Sequence, residues 1–150
     1  MKTIISIFAA AFMSIAATAQ NTSIFLNRYM QVKNALVNSD SKTASMQLDS
    51  LKAELEADAP FKTKDSLLNS VQKMAKETEL EKQRIAFSDV SLEMWNLVKQ
   101  SGSLDQDVYY DYCPMKKAYW LSNEAEIKNP YYGSKMLSCG SVKDKVLREK

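Results

Sequence analysis

The chain has 150 residues, with 20 Lys and Arg against 18 Asp and Glu and a net charge of +2. That length suggests one domain with a substantial core. The charge balance gives no basic face for nucleic acid, nor the cluster of Lys and Arg that marks an anionic-lipid binder. Histidine is absent, which removes Ser-His-Asp and Cys-His nucleophiles, H-E-x-x-H zinc sites, Glu-x-x-His di-iron sites and C-x-x-C-H haem attachment. No P-loop or G-x-G-x-x-G is present and Gly totals 3. No paired carboxylates or activated cysteine argue for catalysis, so no enzyme is expected.

The first residues read as a targeting segment. Lys2 supplies the positive start, Ile4 to Ala16 the apolar run and Ala17-Thr18-Ala19 an A-x-A cleavage site. The apolar run is too short for the roughly 20 residues a bilayer needs. Residues 1–19 are therefore expected to be a cleaved signal peptide. The rest, 20–150, should form one domain in the periplasm or outside the cell, without membrane insertion.

Four helical patterns follow. The first, 23–37, carries Phe25, Tyr29, Val32 and Leu36 at helical spacing after the N-cap candidates Asn21-Thr22-Ser23. Asn38-Ser39-Asp40-Ser41 is a polar turn that can cap the next helix. The second, 42–57, has the stripe Ala44, Leu48, Leu51 and Leu55 and stops before Pro60. The third, 64–77, has Leu67, Val71, Met74 and Thr78 in line. Thr78-Glu79-Leu80-Glu81 reads as a capping box that opens the fourth, 79–101. There Phe87, Val90, Met94 and Leu97 form the inner line. Trp95 falls off it and is placed to pack under the C-terminal segment. Met74 and Met94 read as core filler. Four helices with short connections predict an all-α fold, a four-helix up-down bundle with an irregular C-terminal cap.

The cap, 103–150, has a different character. Asp105, Asp107 and Asp111 fail as a calcium loop, because Tyr110 and Lys116 stand where Gly and Glu are required. They read as a solvated turn. Val108 to Cys113 and Lys135 to Cys139 can pair as two short strands, and Asn129-Pro130-Tyr131-Tyr132-Gly133 is a turn by composition. Six of the 7 tyrosines lie here, with Trp120. Tyr112, Trp120, Tyr131 and Tyr132 are candidates for an aromatic surface, or for a roof over the bundle end with wet hydroxyls.

Both cysteines are in the cap, each close to a methionine: Cys113-Pro114-Met115 and Met136-Leu137-Ser138-Cys139-Gly140. Thiolate and thioether are soft ligands that suit Cu(I) and Ag(I). If the two halves meet, Cys113, Met115, Met136 and Cys139 bring four sulfurs together. In an oxidising compartment the alternative is a Cys113–Cys139 disulfide that pins the cap. Its loop closure would be worth about 3–4 kcal/mol.

These two motifs, with Trp120-Leu121-Ser122, the run Glu126-Ile127-Lys128-Asn129-Pro130-Tyr131-Tyr132-Gly133 and Glu81-Lys82-Gln83-Arg84 of the fourth helix, resemble the bacterial domain-of-unknown-function family 3347. Its members are short secreted helical proteins, or are joined to periplasmic adaptors of heavy-metal efflux pumps. The resemblance implies a copper- or silver-handling role at Cys113, Met115, Met136 and Cys139. It implies an efflux adaptor or other periplasmic protein as partner. The chain departs at Tyr112, where a His is expected in many relatives.

Overall fold

A computed structural model of the protein describes residues 22–102 and 104–148. The expected signal peptide lies outside the described residues. Among these, no helix is long and apolar enough to cross a membrane.

Helix α1 spans residues 22–37. Phe25, Tyr29, Val32 and Leu36 are buried as their spacing requires, but so are Leu26, Met30 and Lys33. A face that wide has neighbours on more than one side. The chain leaves α1 through a Schellman turn: Asp40 N–H donates to Ala35 O and Ser39 N–H to Leu36 O, with Ser39 left-handed at φ 58°. Asp40 then caps α2 (Ser41–Ala57), accepting from both the N–H and the hydroxyl of Thr43. Those hydrogen bonds hold its carboxyl below the usual range. The stripe Ala44, Leu48, Leu51 and Leu55 is buried.

Helix α3 (Lys64–Met74) buries Leu67, Ser70, Val71 and Met74. It ends three residues before the expected boundary, and Thr78 lies outside it. The expected capping box is not made. Glu79 is the N-cap of α4 (Leu80–Gln100), and the Glu81 carboxylate turns to Arg84 at 2.7 Å. A charged partner inside the same helix outcompetes a neutral backbone N–H. Helix α4 buries its expected inner line, and also Gln83, Arg84, Ser91 and Trp95.

The all-α expectation is wrong. Beyond the helices lies a three-stranded antiparallel sheet of order β2-β1-β3, so the fold is α+β. Strand β1 is Val108–Cys113, as expected; β2 is Ala118–Ser122 and β3 is Ser141–Val146. The anticipated second strand, 135–139, instead runs from the last residue of a 3-10 turn, Gly133–Lys135, into a following turn. Its backbone is committed locally, with Met136 N–H on Gly133 O and Cys139 N–H on Met136 O. That leaves β1 to pair with β2 through a four-residue turn, Pro114 to Lys117, and with β3.

The sheet shares the core of the helices. Tyr110 stacks on Trp95 of α4 at 4.5 Å and 4°, and on Tyr119 at 4.7 Å. Trp95 therefore packs under the C-terminal segment as its position suggested. Tyr29 stacks on Phe87 at 5.0 Å. Its hydroxyl shares a hydrogen bond with Ser91 Oγ and accepts the Leu121 N–H at 3.0 Å. Burial raises that phenol well above its ordinary pKa.

Candidate functional site

Cys113 ends β1, opposite Ala118. It is fully buried, while Cys139 is half-buried. Both are free thiols, and their sulfurs stand 3.5 Å apart, in contact rather than bonded. The hairpin brings Cys113 to the tip of the sheet. The segment from Asn129 to Gly140 folds back to bring Cys139 against it.

That segment is anchored at its base. Arg84, buried on α4, donates from Nε to Pro130 O at 2.8 Å and from Nη2 to Leu36 O at 2.9 Å and Ser39 Oγ at 3.0 Å. One guanidinium thus joins the end of α1, the start of α4 and the cap. Tyr131 is buried against Phe87 and Trp120 and donates its hydroxyl to Tyr119 O. Gly133 has φ +56°, and a Cβ there would lie 2.7 Å from Val37 O. Only glycine allows the cap to touch the end of α1 so closely.

The two thiols differ electrostatically. Burial pushes Cys113 up, but the Lys116 N–H, the Asn129 amide, the Cys139 thiol and the Met115 N–H outweigh it and hold the thiol below its ordinary range. Cys139 is pushed up, first by its hydrogen bond to Cys113, then by burial and the charge of Cys113. Cys113 is thus the more acidic of the two thiols, and the two sulfurs share one hydrogen bond. The pair can present two adjacent sulfurs to a soft cation, with Cys113 the readier to lose its proton.

The methionines stand further out. Met115 lies in the hairpin turn and is 64% exposed; Met136 precedes Cys139 by one turn and is 38% exposed. Of the four predicted sulfurs, the described contacts join the two cysteines. Among the described residues no group of three or more His, Cys, Asp or Glu could hold a metal ion. The proposed aromatic surface is largely interior: Trp120 is fully buried and Tyr131 is 2% exposed, whereas Tyr112 and Tyr132 are half-exposed.

Several polar residues at or near this site were not recognisable in advance. Asn129 read as a turn residue, yet it is fully buried and touches both halves of the cysteine pair. Asp111, read as part of a solvated turn, is fully buried on β1, opposite Trp120. Both its carboxylate oxygens, Lys33 Nζ and Trp120 Nε1 are buried without a hydrogen bond among the described residues. Burial raises the Asp111 carboxyl to about 6, with the Lys33 charge opposing. Burial likewise lowers Lys33, against the pull of Glu124. Nothing in the sequence around Asp111 marks its side chain as buried.

A family model described as a protein of unknown function, DUF3347, matches residues 25–106. The match covers the four helices and ends before β1, so the cysteine pair lies outside it. No curated protein and no solved structure matches the chain.

Proposed function

We propose a function for a chain that belongs to DUF3347, a family of proteins of unknown function: a non-catalytic module that holds a soft monovalent cation, Cu(I) or Ag(I), at Cys113 and Cys139. The observation that carries this reading is the pair of sulfurs in contact at 3.5 Å, one held below its usual pKa by N–H donors. Thiolate sulfur selects such ions, and N–H donors around a ligand sulfur are the surroundings a metal thiolate needs. Metal–sulfur bonds of about 2.3 Å would require the pair to open by about 1 Å at most for a linear geometry. Met115 and Met136 border the pair in sequence and add thioethers from the solvent side.

The targeting pattern of residues 1–19 and the resemblance to secreted and efflux-associated proteins support a periplasmic or secreted location, beside a heavy-metal efflux adaptor. The same contact favours a second reading, in which oxidation joins Cys113 to Cys139 and the cap serves as an interaction module. A free-thiol count on protein taken from the periplasm separates the two.

The test is competition of the reduced protein, kept anaerobic, with a Cu(I) chelator beside a Cys113→Ser/Cys139→Ser variant. One-to-one binding that the variant loses is expected. Affinity should weaken as pH falls, because protons compete with the metal for sulfur. Equal binding by the two proteins would refute the reading.

A further inference from the structure

Asn129 turns both ends of its side-chain amide to one task. Its Oδ1 accepts the Tyr131 N–H at 2.8 Å, and its Nδ2 donates to Cys139 O at 2.7 Å. The same amide also reaches the Cys113 sulfur. An amide nitrogen has two hydrogens and an amide oxygen faces away from them, so a side-chain amide can serve one acceptor contact and two donor contacts at once. The backbone adds two more ties: Asn129 N–H donates to Leu137 O at 2.8 Å, and Gly133 N–H donates to Asn129 O at 3.0 Å. The side chain is fully buried.

We infer that Asn129 is the positioning residue of the cysteine pair, clamping the backbone of Cys139 to the anchored base of the cap and so holding the two sulfurs together. This rests on the reading of Cys113 and Cys139 as the working site. The chain of support is continuous. Arg84 fixes Pro130 to the end of α1, Tyr131 is wedged between Phe87 and Trp120, and Asn129 passes that fixed position ten residues along the chain to Cys139. Cys113 needs no such help, because the strand pairing already fixes it.

The experiment uses Asn129→Asp, which keeps the acceptor for Tyr131 but loses both donors, and Asn129→Ser, which is shorter and uncharged. Each is equilibrated with glutathione and its disulfide to obtain the effective concentration of the Cys113–Cys139 pair, and each is titrated with Cu(I). Leu51→Ala, in the helical core far along the chain from the thiols, reports what general destabilisation does. A fall of about tenfold or more in effective concentration is expected for both Asn129 variants, with a 10- to 100-fold loss of Cu(I) affinity and little change for Leu51→Ala. Wild-type effective concentration in either folded Asn129 variant overturns the inference, as does an equal fall in Leu51→Ala. If the wild type binds no Cu(I) but its thiol pair still depends on Asn129, the metal reading fails and the positioning role stands. If Cu(I) binds and Asn129 makes no difference, the reverse holds.

Discussion

Arg84 and Asp111 are two buried charges with opposite energetic signs. The Arg84 guanidinium satisfies three acceptors, two at the end of α1 and one in the cap, and pairs with Glu81. Lysine keeps the charge but cannot fork between Leu36 O and Pro130 O. Arg84→Lys should cost about 2–4 kcal/mol, since it leaves buried carbonyls unpaired, read as a lower urea midpoint. The Asp111 carboxylate has no hydrogen bond among the described residues. Its folded pKa of about 6 lies above the ordinary carboxylate value. A raised acid is protonated in the fold while the unfolded chain has already ionised, so the native state binds more protons between about pH 4 and 6. Stability is fully present below the unfolded pKa and falls as pH rises through about 6, by roughly 3 kcal/mol in all. The charges that face this change are Lys33, with Glu124 and Lys128 around it. Asp111→Asn should flatten that slope and raise stability at pH 7, measured as urea midpoints across the range. An unchanged slope would mean that another group controls it.

Among the elements, the β1–β2 hairpin and the turn after α1 each hold one non-glycine residue in the left-handed region, Lys117 and Ser39. Lys117 sits at φ 52°, a left-handed conformation in which a side chain costs about 1 kcal/mol. Lys117→Gly should stabilise the protein by about that amount, seen in the denaturation midpoint. A destabilised variant would show that the Lys117 side chain has a role the turn does not explain. Strand β3 is an outer strand of the sheet, exposed along most of its length. Its lysines, Lys143 and Lys145, guard the open edge against pairing with another chain. Lys143 lies over the Tyr112 ring at 5.8 Å, which ties β3 back to the aromatic column of Tyr110, Tyr119 and Tyr112.

At the scale of the molecule, the family match ends at residue 106 but the core does not. Trp95 on α4 stacks on Tyr110, Phe87 meets Tyr131, and the Tyr29 hydroxyl accepts from Leu121. Helices and sheet therefore share one core, and the helices should not be a separable unit. A fragment ending at residue 106 should keep helical far-UV signal but lose cooperative unfolding and bind ANS, because it exposes Trp95, Phe87 and the open face of α1. A sharp two-state melt from that fragment would show that the cap is an addition to a complete helical domain.

What the sequence determined by itself was local and periodic. Apolar residues at 3.6 spacing placed the four helices to within a few residues, because each stripe repeats several times along one element. The turn at Asn38 to Ser41 was legible from its polar composition, strand β1 from its aromatic character and the packing of Trp95 under the cap from its place off the inner line. The absence of histidine, and the two cysteine–methionine motifs, were visible as chemistry. The tertiary structure alone decided the rest. Strand partners are chosen by long-range pairing, so a five-residue run such as Ala118–Ser122 gives little sign of its neighbour. The burial of Arg84, Lys33, Asp111 and Asn129 depends on groups tens of residues away, and nothing in a polar residue's own neighbourhood reveals whether a distant partner will meet it. The approach of Cys139 to Cys113 is of this kind. The motifs named the two sulfurs, but Arg84, Tyr131 and Asn129, acting across the fold, bring them into contact.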